Sequence, residues 1–179
     1  GYSLGGRIAL TFATHHPTMT SSLALIGASP GIADAAERLR RLNSDRDLAD
    51  SIPQEGIRSF VDGWVDLPMW GSLRQRLTSE QWARSLAQRR SSHPLGLANS
   101  LRGAGAGAMS PLHDKLKDLD VPTLLIVGEQ DRKFRKIAEE MATALPRGTC
   151  QVISESGHAT HLEQPDATAA AISKHFKCS

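Results

Sequence analysis

A serine, a carboxylate and a histidine pass a proton when brought into line, and this chain carries one of each just past an apolar segment or glycine-rich turn. Ser3 lies in Gly1-Tyr2-Ser3-Leu4-Gly5, a Gly-x-Ser-x-Gly pattern. Flanking glycines permit a strained strand-to-helix turn that lifts the hydroxyl clear and leaves the next amide, that of Leu4, as an oxyanion donor. Asp131 closes Gly128-Glu129-Gln130-Asp131 behind the apolar run Leu124-Leu125-Ile126-Val127, a place that equally suits a helix N-cap. His158 ends Ser156-Gly157-His158, behind Val152-Ile153. Each residue alone has a plain structural use. Serine, then acid, then histidine, each leaving a separate strand, is the order of a nucleophile, an orienting carboxylate and a general base.

The elements needed to position them can be read along the chain. Arg7 to Ala13 has helical apolar spacing ended by Pro17, and Leu23 to Ile26 is a short buried strand closed by Gly27-Ala28-Ser29-Pro30-Gly31. Residues 32–119 carry helical periodicity broken by Pro53, Pro68, Pro94 and Pro111, and no convincing strand, which predicts an all-helical insertion. Gly103 to Ala108 alternates Gly and Ala and reads as a loop or helix end. Strands follow at Val121–Gly128 and Cys150–Ile153, with helices at Lys133–Leu145 and Asp166–Phe176. The order predicts an α/β fold with a mostly parallel sheet, built from residues 1–31 and 120–179, carrying a helical cap over residues 32–119. A turn like that around Ser3 needs a strand ahead of it. The chain therefore reads as the C-terminal two-thirds of a longer protein, and by itself is expected to fold poorly.

Composition narrows the chemistry. The 179 residues hold 21 Lys+Arg against 19 Asp+Glu, a net +2, with no basic run to track phosphates, so a nucleic-acid partner is not expected. Arginine outnumbers lysine 15 to 6, and its planar fork suits carboxylate ligands. Hydrophobic content of 40% fits a globular chain, and no apolar stretch approaches the ~20 residues of a membrane span. Cys150 and Cys178 make neither a disulfide framework nor a metal spacing, which points to a cytoplasmic setting, with no metal or other cofactor expected.

Taken together, Gly1-Tyr2-Ser3-Leu4-Gly5-Gly6-Arg7, Gly27 to Gly31, Ser44-Asp45-Arg46, Ser100-Leu101-Arg102-Gly103, Gly128-Glu129-Gln130-Asp131-Arg132-Lys133-Phe134 and Gly157-His158-Ala159-Thr160-His161 carry a resemblance. The chain resembles the α/β-hydrolase fold and, within it, the 2-succinyl-6-hydroxy-2,4-cyclohexadiene-1-carboxylate synthases of menaquinone biosynthesis. Arg7 and the Lys133-Phe134 pair are the more particular of these matches.

The resemblance implies a lyase that eliminates pyruvate from an enolpyruvyl tricarboxylate, with Ser3 removing a substrate proton, His158 accepting the serine's, and Asp131 holding the imidazole. It implies Tyr2, Arg7, Arg41, Trp64 and Arg89 as substrate-binding residues; Arg89 and Arg90 are adjacent, so both stay open. A plastid setting is implied if the parent is a plant fusion. His161, with Glu163 and Pro165, is expected to order the loop carrying His158, and His15-His16 to end a helix. Two other readings stay open: a carboxylesterase or carbon-carbon hydrolase on the same triad, and a non-catalytic relative.

Overall fold

Leu23–Ile26 (β1), Thr123–Gly128 (β2) and Gly148–Ile153 (β3) pair in parallel, in the order β1-β2-β3, in the computed structural model, which describes residues 1–178, Cys178 by its backbone alone. All six residues of β2 are buried, as a central parallel strand requires, and this is why its apolar run is continuous and not alternating. Parallel neighbours need a crossover, and the helix Arg132–Ala144 (α7 in chain order) supplies it between β2 and β3. The register puts Ile26 beside Ile126 and Gly128 beside Ile153, so β2 and β3 end level, β1 ends two residues earlier, and all three carboxyl ends open on the same edge of the sheet. Ile26, Leu124, Ile126 and Ile153 form a buried cluster on which Ile172 of the last helix, Pro165–Cys178 (α9), also packs.

The helix Leu4–His15 (α1) buries Gly6, Leu10 and Ala13, and its entry is tied to the sheet. The Ser3 amide donates to the Ile26 carbonyl at 2.8 Å, and Tyr2 makes a parallel bridge to Ile26. His15 ends α1 with Nδ1 2.8 Å from the Thr11 carbonyl, the helix-end role expected of it. Two compact units result, one of Gly1–Gly31 with the chain from Pro111 onward, the other of Ile32–Ser110. Residues 113–118, which the sequence places in the helical insertion, form a short 3-10 helix in the sheet unit. Leu112, Leu116 and Leu119 are buried there, and the Leu112 amide donates to the Pro30 carbonyl at 2.8 Å. Cys150 is a free thiol, while the side chain of Cys178 lies outside the described residues. No helix among the described residues is long and apolar enough to cross a membrane.

The second unit is helical: Ala35–Glu55 (α2), Ile57–Val65 (α3), Gly71–Arg76 (α4), Ser79–Arg90 (α5) and Pro94–Ala104 (α6). Asp34 caps α2 by accepting from the Glu37 amide at 2.7 Å, and Thr78 with Gln81 closes a reciprocal cap on α5. Pro53 does not break the helical run as its type suggests, because it lies in the last turn of α2. There it removes only the donor to the Ala49 carbonyl, which the Arg102 guanidinium approaches at 3.4 Å. Gly105 ends α6, in keeping with the loop expected around it.

Asp45 of α2 is 3% exposed, and its carboxylate accepts from Arg41 Nε at 2.8 Å and from the Gly107 amide at 3.4 Å. Asp45→Ala leaves a buried amide without its acceptor and frees the Arg41 guanidinium. A loss of roughly 1.5–3 kcal/mol is expected, at the charged-hydrogen-bond level. The partly exposed arginine keeps it below the cost of breaking a fully buried pair. Denaturant titration of parent and variant measures it, and a difference under about 0.5 kcal/mol, the scale of an ordinary surface substitution, would reduce the contact to surface decoration.

Candidate active site

Ser3 stands between the bridge to β1 and the first turn of α1, at φ 47° and ψ −111°. A positive φ at a residue with a Cβ is strained, and it points the hydroxyl away from the helix it precedes. The steric demand of the turn falls on Gly1 and Gly6: a Cβ would come 2.5 Å from the Gly5 carbonyl oxygen in the first case and 2.7 Å from the Ala28 Cβ in the second. Gly5, the second glycine of the sequence pattern, has nothing within 4 Å of its Cβ position. Leu4 is the first residue of α1, so its N–H has no acceptor within the helix, and the helix N-terminus favours negative charge beside it.

His158 Nε2 lies 3.2 Å from Ser3 Oγ, and His158 Nδ1 lies 2.7 Å from Asp131 Oδ2. Residues 155 positions apart in the chain thus meet in one line. The His158 side chain has no solvent exposure and that of Asp131 is 11% exposed, so the pair works in a medium that strengthens it. The two sequence readings of Asp131 are both met. Oδ2 faces the imidazole while Oδ1 accepts from the Phe134 amide at 3.2 Å, capping α7. A carboxylate held at both oxygens orients the ring so that Nδ1 carries its proton and Nε2 is free to accept the serine's.

Three contacts complete the socket around the imidazole. The Phe134 ring lies 4.6 Å from it, centroid to centroid, and Tyr2 lies 5.4 Å away. On another side is Gly27, at φ 54°, where a Cβ would come 2.9 Å from His158 Cε1. Local sequence gives neither Gly27 nor Phe134 a role at the site, offering only a glycine directly after a buried strand and an apolar residue three places past the acid.

The remaining candidates divide between the units. Tyr2 also contacts His161, 4.4 Å between ring centroids. Burial, and after it the neighbouring His158, holds the His161 imidazole below its ordinary value, against the opposite pull of Glu163. Arg7 lies one turn along α1, its amide donating to the Ser3 carbonyl at 3.0 Å. In the helical unit Arg41 is paired with Asp45, and Trp64 stacks on Phe60 at 5.7 Å and lies 6.3 Å from Trp70. The Arg89 guanidinium lies 5.2 Å from the Trp70 ring centroid and bonds to Ser85, whereas Arg90 is tied to Asp62. Trp70 thus links Trp64 with Arg89 in one aromatic cluster. Among the described residues no three His, Cys, Asp or Glu side chains are grouped as a metal ion requires.

A family described as the alpha/beta hydrolase family matches residues 1–171. The chain is 40% identical over 165 residues to a Bacillus subtilis protein provisionally named 2-succinyl-6-hydroxy-2,4-cyclohexadiene-1-carboxylate synthase, covering 92% of this chain and 60% of that protein. It is 30% identical to the synthase of that name from Klebsiella pneumoniae, over 97% of this chain and 66% of the relative. The solved structure of MenH from S. aureus superposes with a TM-score of 0.95 at 38% identity, covering 99% of this chain and 66% of that one. A thermophilic esterase from Thermogutta terrifontis, at a TM-score of 0.79 and 23% identity, shares the fold over 99% of this chain and 63% of its own. This chain spans between three-fifths and two-thirds of the length of the relatives it matches.

Proposed function

We propose, from the premise that this chain belongs to the alpha/beta hydrolase family, that it supplies the proton relay of a 2-succinyl-6-hydroxy-2,4-cyclohexadiene-1-carboxylate synthase. The observation that carries the chemistry is the line from Ser3 Oγ through His158 Nε2 and Nδ1 to Asp131 Oδ2. The substrate class rests on the 40% and 30% identities to proteins bearing that name.

In this reading His158 takes the Ser3 proton as the serine oxygen removes a proton from a substrate carbon. The electron pair left behind is held as an enolate, and it expels the enolpyruvyl oxygen as the carbon-oxygen bond breaks. Pyruvate leaves, and the proton returns from His158 to solvent or product. No acyl-enzyme forms. The developing negative charge lies where the Leu4 N–H and the N-terminus of α1 act on it. Asp131 stabilises the imidazolium without itself being protonated.

Tyr2, Arg7, Arg41, Trp64 and Arg89 are the proposed contacts for the substrate, a small trianion whose carboxylates suit guanidinium forks. The Arg90–Asp62 pair leaves Arg89, beside Trp70 and Trp64, as the better candidate of the two neighbours. Asp45 would orient Arg41 through Nε. A cytoplasmic setting, with no nucleic-acid or membrane partner, goes with such a substrate.

The test is pyruvate release from the enolpyruvyl tricarboxylate by the intact protein, followed with lactate dehydrogenase, beside hydrolysis of p-nitrophenyl esters. Turnover of the esters exceeding that of the tricarboxylate would replace the lyase with an esterase on the same triad. Arg41→Ala is expected mainly to raise KM for the tricarboxylate, at roughly 2–4 kcal/mol in kcat/KM if a desolvated contact is lost. Equal kinetics for variant and parent would leave Arg41 as surface charge bound to Asp45.

A further inference from the structure

We propose that Glu163 is a positioning residue for the proton relay, its carboxylate clamping the two backbone amides on either side of His158. The Gly157 N–H donates to Glu163 Oε2 at 2.8 Å and the Ala159 N–H donates to Oε1 at 3.2 Å. The carboxylate thus ties the peptide plane that follows His158 to the plane that precedes Gly157. Glu163 is only 7% exposed, and a buried charge is tolerated where hydrogen bonds compensate it.

The local chain is built to deliver this contact. Thr160–Glu163 (α8) is a single helical turn that starts two residues after His158, and the Glu163 amide donates to the Ala159 carbonyl at 3.0 Å. The glutamate therefore sits one turn beyond the amides it holds, and its side chain folds back over them. Upstream, the loop is fixed by Ser156, whose hydroxyl donates to the Ile153 carbonyl at 2.9 Å and whose own carbonyl accepts from the Gln130 amide at 2.9 Å. Downstream of His158, the tie comes from Glu163.

The imidazole has no freedom to compensate for a moved backbone. Its Nδ1 is committed to Asp131 and its Nε2 to Ser3, and Gly27 and Phe134 close on the ring. Rotation of the plane after His158, or of the plane before Gly157, shifts the His158 backbone and with it the Nε2–Oγ separation, and displacements near 1 Å cost on the order of 10²-fold in rate. The Glu163 carboxylate bonds to the two amides and not to the Ser3, Asp131 or His158 side chains, so its proposed effect passes through the position of His158. Of the residues expected from the sequence to order this loop, Glu163 bonds to its amides, while His161 packs on Tyr2.

The inference rests on the relay described above and is tested independently of the substrate. In the intact protein, Glu163→Gln keeps the volume but turns an NH2 toward one of the two N–H donors, so only one tie can survive. We expect the second-order rate at which diisopropyl fluorophosphate phosphorylates Ser3, with loss of fluoride, to fall about 10–100-fold. Kcat for pyruvate release should fall in parallel, with KM within about twofold of the parent, the pattern of a lost transition-state interaction. Glu163→Asp, which keeps both oxygens on a shorter stem, should recover part of the labelling rate, and it carries the test if Glu163→Gln does not fold. A lowered melting temperature with an unchanged labelling rate per folded molecule would make Glu163 a stability residue and overturn the proposal. A parent protein whose Ser3 is not labelled would overturn the relay and the clamp together. A parent that is labelled but releases no pyruvate would remove the substrate assignment alone, and the labelling rates of the variants would still decide the clamp.

Discussion

His158→Ala is expected to lower kcat for pyruvate release by roughly 10³–10⁴-fold, the upper range for a positioned general base, while leaving substrate binding nearly intact. The imidazole is the one group in contact with both other members of the relay, at 3.2 Å from Ser3 and 2.7 Å from Asp131. Without it the serine hydroxyl has no acceptor at hand, and an unassisted alcohol is too weak a base to remove a carbon-bound proton near neutral pH. Because Ser3 and His158 act as one unit, the double variant Ser3→Ala with His158→Ala should be no slower than either single one. Steady-state kinetics of the three variants in the pyruvate assay decide the matter. A His158→Ala protein retaining a tenth of the parent rate would show that the base lies elsewhere.

Gly27→Ala should be the most damaging substitution outside the relay itself, with an expected fall in kcat of about 10²-fold. Two costs coincide there. The residue is at φ 54°, where an L side chain costs roughly 1–2 kcal/mol. The new methyl would stand 2.9 Å from His158 Cε1 and 3.1 Å from Nδ1. The ring cannot step aside without lengthening its bond to Asp131 or opening the distance to Ser3, so the methyl's strain is discharged onto the reaction geometry. Gly5→Ala is the matched control, since nothing lies within 4 Å of the position its Cβ would take. Phosphorylation of Ser3 by the same reagent in both variants, read beside their unfolding midpoints, separates loss of geometry from loss of fold. Parent-like labelling in Gly27→Ala would mean that the loop after β1 yields and the ring does not.

Much of this architecture follows from local pattern. Leu124-Leu125-Ile126-Val127 is a buried strand by composition, and the structure puts β2 there with every residue buried. The helix after Pro94, its end at Gly105 and the N-terminal helix stopped before Pro17 are equally local outcomes of capping and proline chemistry. Pro53 misleads for the converse reason. Proline weakens a helix by removing one donor, and at the last turn of α2 a neighbouring arginine stands in for that donor, a substitution made 49 positions away in sequence. Residues 113–118 read as part of the helical insertion, and their turns are helical. Leu116 within the segment, with Leu112 and Leu119 beside it, is buried in the sheet unit, and no periodicity states which unit a short helix joins.

At the site the division is the same. Local pattern is enough to say which groups could form a relay and in what order, because strands, turns and caps are set by neighbours a few residues apart. Taken alone Asp131 suits a helix cap, and the order of serine, acid and histidine makes it the orienting carboxylate. In the folded chain Asp131 makes both contacts, one oxygen to the Phe134 amide and one to His158, because the parallel register of the strands opens their carboxyl ends on one edge of the sheet. The same register places Gly27 against the imidazole, a close approach between residues 27 and 158 that no spacing along the chain encodes. Arg90 is likewise set apart from Arg89 by Asp62 on another helix. The physical reason is common to all of these. Short-range rules fix backbone conformation, whereas the distances that make a hydroxyl, an imidazole and a carboxylate into a proton relay arise from packing between elements distant in sequence.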